Sequence, residues 1–200
     1  MAIFSYYLAI SLDGFLARKD GSVDWLDPYF TKLSSPYDYE EYYASVEGLV
    51  MGRKTYEACM SLGGGEYPYP DKPAWVLSKN KKFAPKVNEV TLLTDDVFQK
   101  LSDLRKETDG RLWLVGGGEL ASQLVEARLL DEIVLTIVPV ILGSGLPWLG
   151  ETSRDSSWQL VDSYKADNGL LQLGYRKSGL IDKSGKVKKK QFPSICRSNK

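Results

Sequence analysis

The feature that most constrains the fold is an alternation of short β-rich segments with helix-like segments over the first 138 residues. Parallel strands need long crossover connections, usually helices, so this alternation favours parallel pairing. After residue 138, two β-rich segments are joined by Asp167-Asn168-Gly169, which is typical of a hairpin turn. The sequence therefore predicts an α/β domain with a mixed, mostly parallel sheet, helices on both faces and a C-terminal antiparallel hairpin.

The bounds of the predicted elements follow from periodicity and turn residues. Strands are expected at 3–11, 48–51, 74–78, 89–93, 111–115, 131–138, 158–165 and 170–177. Helices are expected at 38–46, 53–60, 95–106 and 119–127, with Asp95 as the N-cap of the third. The loop that contains Gly63-Gly64-Gly65 is interpreted either as a flap over a substrate or as a simple linker.

Residue content narrows the chemistry. Histidine is absent, and only two cysteines occur, far apart in the chain. Nucleophile–histidine pairs and histidine-based metal sites are thereby excluded, and no metal is expected. No uninterrupted apolar run has the length of a membrane span, and the N-terminus lacks the basic start of a signal peptide. We therefore expect a cytoplasmic protein without a membrane partner.

Charge is unevenly distributed although the formal net charge is zero. Residues 178–200 carry a net charge of +6, and residues 1–177 carry −6. An acidic body lacks the basic footprint of a nucleic-acid-binding protein, so no nucleic-acid partner is expected. We predict one domain over residues 1–177 followed by a flexible basic tail over 178–200, with a docking arm as the alternative for the tail.

The sharpest local motif is Gly116-Gly117-Gly118, which lies between a buried β-rich segment and a helix that begins with Glu119-Leu120. Glycines let a ligand approach the backbone closely, and the N–H groups at a helix N-terminus suit a pyrophosphate. The spacing is not the GxGxxG of the common dinucleotide fingerprint. A tight turn without a ligand is the alternative.

Two further strand ends carry groups suited to phosphate. Gly52 is followed by Arg53, Lys54 and Thr55 in the first turn of a helix, where cations oppose the helix dipole unless an anion binds there. Ser78-Lys79 follows another strand. Ligands of parallel sheets lie at the carboxyl ends of strands, and a 2′-phosphate is bound by Arg and Lys rather than by an acid. The three ends together predict NADPH as cofactor, although each alone also fits a solvated turn.

Acidic residues are the candidates for proton transfer. Asp13 follows the first strand in the sequence SLDG, and Asp38 shares a helix face with Tyr42. A carboxyl group with a raised pKa in a pocket can donate a proton. A turn residue that binds its own backbone is the alternative for Asp13, and a first-turn helix acid is the alternative for Asp38.

The segments SLDG, MGRKTYE, VLSK and VGGGELASQLVEARLLDEIVLTIVPVILGSGLPW occur in that order. Together they resemble the dihydrofolate-reductase-like superfamily over residues 2–177. Within it they are most similar to the reductase domain of the bacterial bifunctional riboflavin-biosynthesis deaminase-reductases and to its stand-alone relatives. This resemblance implies an NADPH-dependent reductase that is a homodimer. The candidate activity is 5-amino-6-(5-phosphoribosylamino)uracil reductase, and the alternatives are dihydrofolate reductase activity or NADPH binding without catalysis.

The resemblance also assigns roles to positions. It implies that Arg53, Lys54 and Thr55 lie beside the adenosine phosphates, that Ser78 and Lys79 lie on the adenosine side, and that residues 116–120 form the pyrophosphate turn. Ile10, Leu16 and the loop 12–27 are expected near the nicotinamide, with Asp13 near the reacting centre. Lys72 and Pro73 stand where dihydrofolate reductases have an arginine for the folate glutamate, which makes the folate alternative weaker.

Overall fold

The computed structural model describes residues 1–30 and 39–178. Its main feature is one eight-stranded sheet with the strand order β5-β4-β3-β6-β1-β7-β10-β9. The first six strands in this order are parallel, and β10 and β9 are antiparallel to their neighbours. The predicted fold class, including the C-terminal hairpin, is confirmed. A small second sheet pairs β2 with β8.

The strands are β1 Ile3–Ser11, β2 Phe15–Ala17, β3 Val46–Gly52, β4 Ala74–Leu77, β5 Val90–Leu93, β6 Arg111–Leu114, β7 Leu130–Val138, β8 Leu146–Pro147, β9 Trp158–Lys165 and β10 Leu171–Lys177. The helices are α1 Tyr39–Ala44, α2 Arg53–Leu62, α3 Val97–Glu107 and α4 Gly118–Glu126, and a 3-10 turn lies at Asp24–Leu26.

Helices cover both faces of the sheet because the inner strands are apolar on both sides. On one face, Leu101 of α3 and Leu124 of α4 pack against Phe4, Leu8 and Leu114. On the other face, tyrosines of α1 and α2 pack with residues of β3, β4 and β6. Each side of the central strand β1 therefore has its own core, and only the strand ends remain for ligands.

Several boundaries differ from the prediction for local physical reasons. Val46 was expected to end the first helix, but it begins β3 because it pairs with Arg111 at the start of β6. Asp95 was expected to cap α3, but its carboxylate binds Lys81 Nζ (2.7 Å) and Thr94 Oγ1 (3.1 Å). Asp96, in a left-handed conformation, takes the N-cap position instead.

The glycine run 63–65 terminates α2. The N–H of Gly63 donates to the carbonyl of Cys59, and the N–H of Gly65 donates to that of Met60. Gly64 and Gly65 have φ values of +65° and +100°, which only glycine adopts without strain. The run thus has a helix-ending role, which favours the linker interpretation; its role as a flap stays a prediction.

The amino end of the sheet is closed by ion pairs. Arg111 Nε lies 3.1 Å from Glu132 Oε1, and both side chains are buried. Ser5 Oγ also donates to Glu132 Oε1 (2.8 Å). Unpaired charges inside a protein are costly, so the pairing of Arg111 with Glu132 offsets the burial of both charges at the end of the sheet away from the phosphate-type motifs. The predicted tail lies outside the described residues from 179 onward, and the single-domain boundary stays a prediction.

Candidate cofactor site

The phosphate-type motifs predicted from the sequence meet at the carboxyl edge of the sheet. Gly52 at the end of β3 lies opposite Leu77 at the end of β4. On the other side of β3, Val50 lies opposite Leu114 at the end of β6. The residues that follow these strands therefore emerge side by side, and the order of the three motifs across the edge is Ser78, Arg53 and Gly116.

The triple glycine connects β6 to α4 through a turn that only glycine can adopt freely. Gly116 and Gly117 have φ values of +55° and +75°, a region that is unfavourable for residues with a Cβ. Gly117 is the N-cap of α4, and no side chain caps this helix. The first N–H groups of α4 are therefore available to an anion, as the pyrophosphate prediction requires.

Gly118 serves a different purpose, namely close packing. A Cβ at Gly118 would collide with the carbonyl oxygen of Pro147. The carbonyl of Gly118 accepts a hydrogen bond from Gly150 N (2.9 Å). The segment 147–150 therefore crosses directly over the first turn of α4, and its backbone position is set by the lack of a side chain at Gly118.

Thr55 joins two of the motifs physically. Its methyl group would lie 3.0 Å from a Cβ at Gly116, and its hydroxyl oxygen 3.3 Å from a Cβ at Gly117. Thr55 is in the first turn of α2, so the N-terminal turn of α2 packs against the glycine turn that precedes α4. Two groups that fit phosphate are thus combined in one cradle, and a side chain at either glycine would fill it.

Arg53 and its neighbours form the outer part of this edge. Arg53 Nη1 donates to both carboxylate oxygens of Glu57 (2.7 and 3.0 Å), whereas Lys54 is exposed. Beyond β4, the hydroxyl of Ser78 accepts a hydrogen bond from Asn80 N (3.0 Å), and Lys79 is exposed. The cationic groups are therefore accessible to an anionic ligand from solvent.

Asp13 lies at the end of β1 and connects two loops. Its carboxylate accepts hydrogen bonds from Ser11 Oγ (2.6 Å), Leu142 N (3.1 Å) and Gly143 N (2.7 Å). The Ser11 hydrogen bond, followed by the two backbone donors, lowers the pKa of Asp13 below its usual value. A carboxylate held in this way is ionised at neutral pH, which favours the structural alternative left open by the sequence.

The loop that Asp13 holds continues to the glycine turn. Trp148 N donates to the carbonyl of Gly14 (3.3 Å), and Tyr6 Oη donates to the carbonyl of Trp148 (2.9 Å). Because Tyr6 is in β1 and Gly150 contacts Gly118, the segment 139–150 links the end of β1 to the start of α4. The segment 139–150 thus holds in place both the end of β1, where the nicotinamide is predicted, and the predicted pyrophosphate turn.

The remaining predicted site residues differ in how far their side chains are exposed. The side chains of Ile10 and Leu120 are buried in the core, and Leu16 packs against the same core. Only their backbone or the edge of their side chains could contact a ligand, whereas Glu119 is exposed. Asp38 lies outside the described residues, so its role stays a prediction.

An aromatic cluster covers the other face of β1 and β6. The ring of Tyr7 stacks on that of Tyr42 at 4.3 Å, and Trp113 meets both rings edge-on. Tyr43 extends the cluster, and Lys72 Nζ lies 5.2 Å from the centre of its ring. These rings form part of the core on this face of the sheet, and their stacked and edge-on pairs stabilise its packing.

The described part of the chain holds no cluster of three or more His, Cys, Asp or Glu side chains that could bind a metal ion. None of the helices in residues 1–30 and 39–178 combines the length and the apolarity that a membrane crossing requires. Glu57 and Phe83 were not predicted from the sequence, and both contact the Arg53 guanidinium. The i,i+4 spacing of Arg53 and Glu57 could have indicated the first, but no sequence signal indicates the second.

The sheet order, the glycine turn and the α2 N-terminus define a dihydrofolate-reductase-like α/β protein. The model of the RibD C-terminal domain matches residues 5–172, and the chain belongs to that family. It is 32% identical over 169 residues to the uncharacterized protein YwjB of Bacillus subtilis, a match that covers 84% of this chain and 94% of that protein.

Solved structures give the same result. A Shewanella sp. PV-4 protein whose name refers to riboflavin biosynthesis is 31% identical, with a TM-score of 0.77 over 88% of this chain and 99% of that chain. Dihydrofolate reductase from Enterococcus faecalis, solved with NADP(H), has a TM-score of 0.61 at 15% identity over 88% of this chain and 96% of that chain. The second likeness shows the shared fold only.

Proposed function

We propose that the protein is an NADPH-dependent reductase that transfers hydride to a C=N-type carbon of a small heterocyclic substrate. The observation that carries this proposal is the contact of Thr55 with the glycine turn, which unites two anion-binding features at one edge of the sheet. Membership of the RibD C-terminal domain family and the NADP(H) complex of the Enterococcus faecalis enzyme support it. The candidate substrate is 5-amino-6-(5-phosphoribosylamino)uracil.

The residues fit the cofactor because Gly116 and Gly117 have no side chains, which leaves space for a pyrophosphate beside Thr55. Gly116 and Gly117, together with the uncapped N-terminus of α4, would hold the pyrophosphate. Arg53, Thr55 and Lys79 would bind the phosphates of the adenosine half. When bound, the reduced nicotinamide supplies the hydride.

The protein's own contribution is positioning. Asp13 ties the end of β1 to Leu142 and Gly143, and the same loop packs over α4 through Gly118. This arrangement fixes the distance between the pyrophosphate turn and the end of β1, where the nicotinamide is expected. Rigid placement of the two reactants replaces a bimolecular encounter, which is a large part of the catalytic effect of such enzymes.

The test is a substrate panel with NADPH consumption as the readout. The purified protein is expected to oxidise NADPH with 5-amino-6-(5-phosphoribosylamino)uracil, and dihydrofolate is the comparison substrate. Turnover of dihydrofolate alone would favour the folate alternative. Tight NADPH binding with no turnover on either compound would indicate a binding protein rather than an enzyme.

Binding is tested separately with Arg53→Met. Losing a charge-assisted phosphate contact should weaken NADPH binding by about 1–3 kcal/mol and leave NADH binding nearly unchanged. Lys106→Met is the control, because Lys106 also forms an exposed helical ion pair, with Asp103, but on α3. Isothermal calorimetry with both nucleotides gives the comparison. Equal affinity of the wild-type protein for NADPH and NADH would contradict the proposed specificity.

A further inference from the structure

Arg53 is held from two sides before any ligand arrives. Both oxygens of Glu57 accept hydrogen bonds from the same nitrogen, Nη1. The guanidinium carbon lies over the ring of Phe83, 5.9 Å from its centre. Within the described residues, Nε and Nη2 make no hydrogen bond, and 37% of the side chain is exposed. The guanidinium therefore has a fixed orientation, free donors and an accessible surface.

Phe83 is itself fixed by its loop. Its ring meets that of Tyr56 edge-on at 5.8 Å, and Tyr56 is a buried residue of α2. The hydroxyl of Tyr56 accepts a hydrogen bond from Lys86 N (3.0 Å), and Phe83 N donates to the carbonyl of Asn80 (3.1 Å). The loop that follows β4 thus packs back onto α2. This packing places the Phe83 ring beneath Arg53 at the carboxyl edge of the sheet.

We propose that Phe83 and Arg53 form a stacked platform for the adenine base of a nucleotide that carries a phosphate on its ribose. This inference rests on the proposed NADPH-dependent function and names two positioning residues for it, Phe83 and Glu57. A guanidinium is planar and weakly hydrated, and it stacks on flat rings while its edge donors bind phosphate. One face of Arg53 is occupied by Phe83, and its free edge donors are available to the phosphate.

The arrangement also explains why an aromatic residue is partly exposed in a lysine-rich loop. Lys79 and Lys82 are exposed nearby in the chain, so the loop already carries positive charge for a phosphate. What the lysines cannot supply is a flat surface, since an ammonium is a compact point charge. Glu57 holds one nitrogen of Arg53, which reduces the number of rotamers that the side chain loses when a nucleotide binds.

The experiment measures binding of adenosine 2′,5′-bisphosphate by calorimetry, because this compound contains the base and the ribose phosphate without the nicotinamide. Phe83→Leu is expected to weaken binding about 5- to 10-fold, the effect of losing a stacking partner. Phe83→Tyr should retain wild-type affinity. Phe98→Leu is the matched control, because Phe98 is a half-buried phenylalanine on α3, and it should bind like the wild type.

A double-mutant cycle shows whether Phe83 acts through Arg53. In an Arg53→Met background, Phe83→Leu should change the affinity by less than about twofold. The reason is that the Arg53 guanidinium, which would lie between the Phe83 ring and the adenine base, is then absent. An equal loss in both backgrounds, or no loss in the single variant, overturns the platform while leaving NADPH binding intact. Failure of the wild-type protein to bind the bisphosphate overturns the proposed cofactor and the platform together. Thermal unfolding without ligand verifies that each variant is folded.

Discussion

At the scale of single residues, the hydrogen bonds of Asp13 favour a structural role over the proton transfer that its sequence motif suggests. A proton donor at neutral pH needs a raised pKa, whereas three hydrogen bonds lower the pKa of this carboxyl group. Two of the donors are backbone N–H groups of Leu142 and Gly143, which are far away in sequence. The geometry therefore favours Asp13 as the residue that joins two loops beside the site.

Asp13→Asn should destabilise the protein at neutral pH. Asparagine has one acceptor oxygen, and its amide group cannot accept from the second N–H. Because folding lowers the pKa of Asp13, the stabilisation is present above the unfolded-state pKa of about 3.9 and is lost as the pH falls through the folded-state value. The difference in unfolding temperature between wild type and variant should thus shrink on acidification below about pH 4.

Asp20→Asn is the control for this variant. Asp20 also has a lowered pKa, chiefly from hydrogen bonds of Ser22, but it joins no second loop. We expect a smaller loss of stability there. If Asp13→Asn instead lowered turnover by about 100-fold or more at unchanged unfolding temperature and NADPH affinity, proton transfer by Asp13 would be the better interpretation.

At the scale of elements, the sequence predicted the eight strands of the main sheet and the four helices within a few residues of their observed ends, including the four-residue strands β4, β5 and β6. The strands β2 and β8, of three and two residues, were missed because so few residues show no alternation. Their pairing depends on the Asp13 and Gly118 contacts, which are tertiary.

A substitution in the glycine turn between β6 and α4 tests whether this turn binds the cofactor. Gly117→Ala places a Cβ at φ +75° and 3.3 Å from the Thr55 hydroxyl oxygen. Gly21→Ala is the matched control, because Gly21 has φ +88° and no atom near the added Cβ. Backbone strain of about 1–2 kcal/mol is expected in both variants. Only Gly117→Ala should also lose NADPH affinity, by about tenfold or more, in calorimetry on folded protein.

The outcome separates a ligand cradle from a tight turn. Equal NADPH affinity of the Gly117→Ala variant and the wild type would mean that the cofactor does not approach this turn. A parallel loss of affinity in the Gly21→Ala variant would trace the effect to stability rather than to the cradle. The unfolding temperatures of both variants without ligand measure how much the backbone strain destabilises each of them.

At the scale of the whole molecule, the gathering of the three phosphate-type motifs at one edge of the sheet was predictable, but the contacts between them were not. Parallel strands place their carboxyl ends on one edge, so the gathering of Arg53, Ser78 and Gly116 follows from the fold class. The contact of Thr55 with the glycine turn depends on how α2 packs against its neighbours, and the Phe83 platform depends on a loop without periodicity. Such contacts are decided by tertiary packing, which one sequence does not encode locally.

The homodimer expected from the family resemblance also belongs to this scale, and the outer strands offer a surface for it. Leu160 of β9 lies opposite Tyr175 of β10, and Leu171 lies two positions from Leu173 on the same face of β10. Leu160 and Leu171 are 47% and 38% exposed. Together with Leu173 and Tyr175 these leucines form a contiguous apolar row on one face of the hairpin, the kind of surface that a partner covers. We propose that two copies associate through this face of the hairpin.

Leu160→Glu should therefore convert the protein to a monomer in analytical ultracentrifugation, because burying one carboxylate per subunit in an apolar interface without a partner is costly. Leu62→Glu is the control, since Leu62 is an exposed leucine (69%) at the end of α2, and that variant should remain a dimer. A wild-type protein that sediments as a monomer at all concentrations would refute the dimer. A Leu160→Glu variant that stays dimeric would instead place the interface elsewhere on the molecule, away from the hairpin.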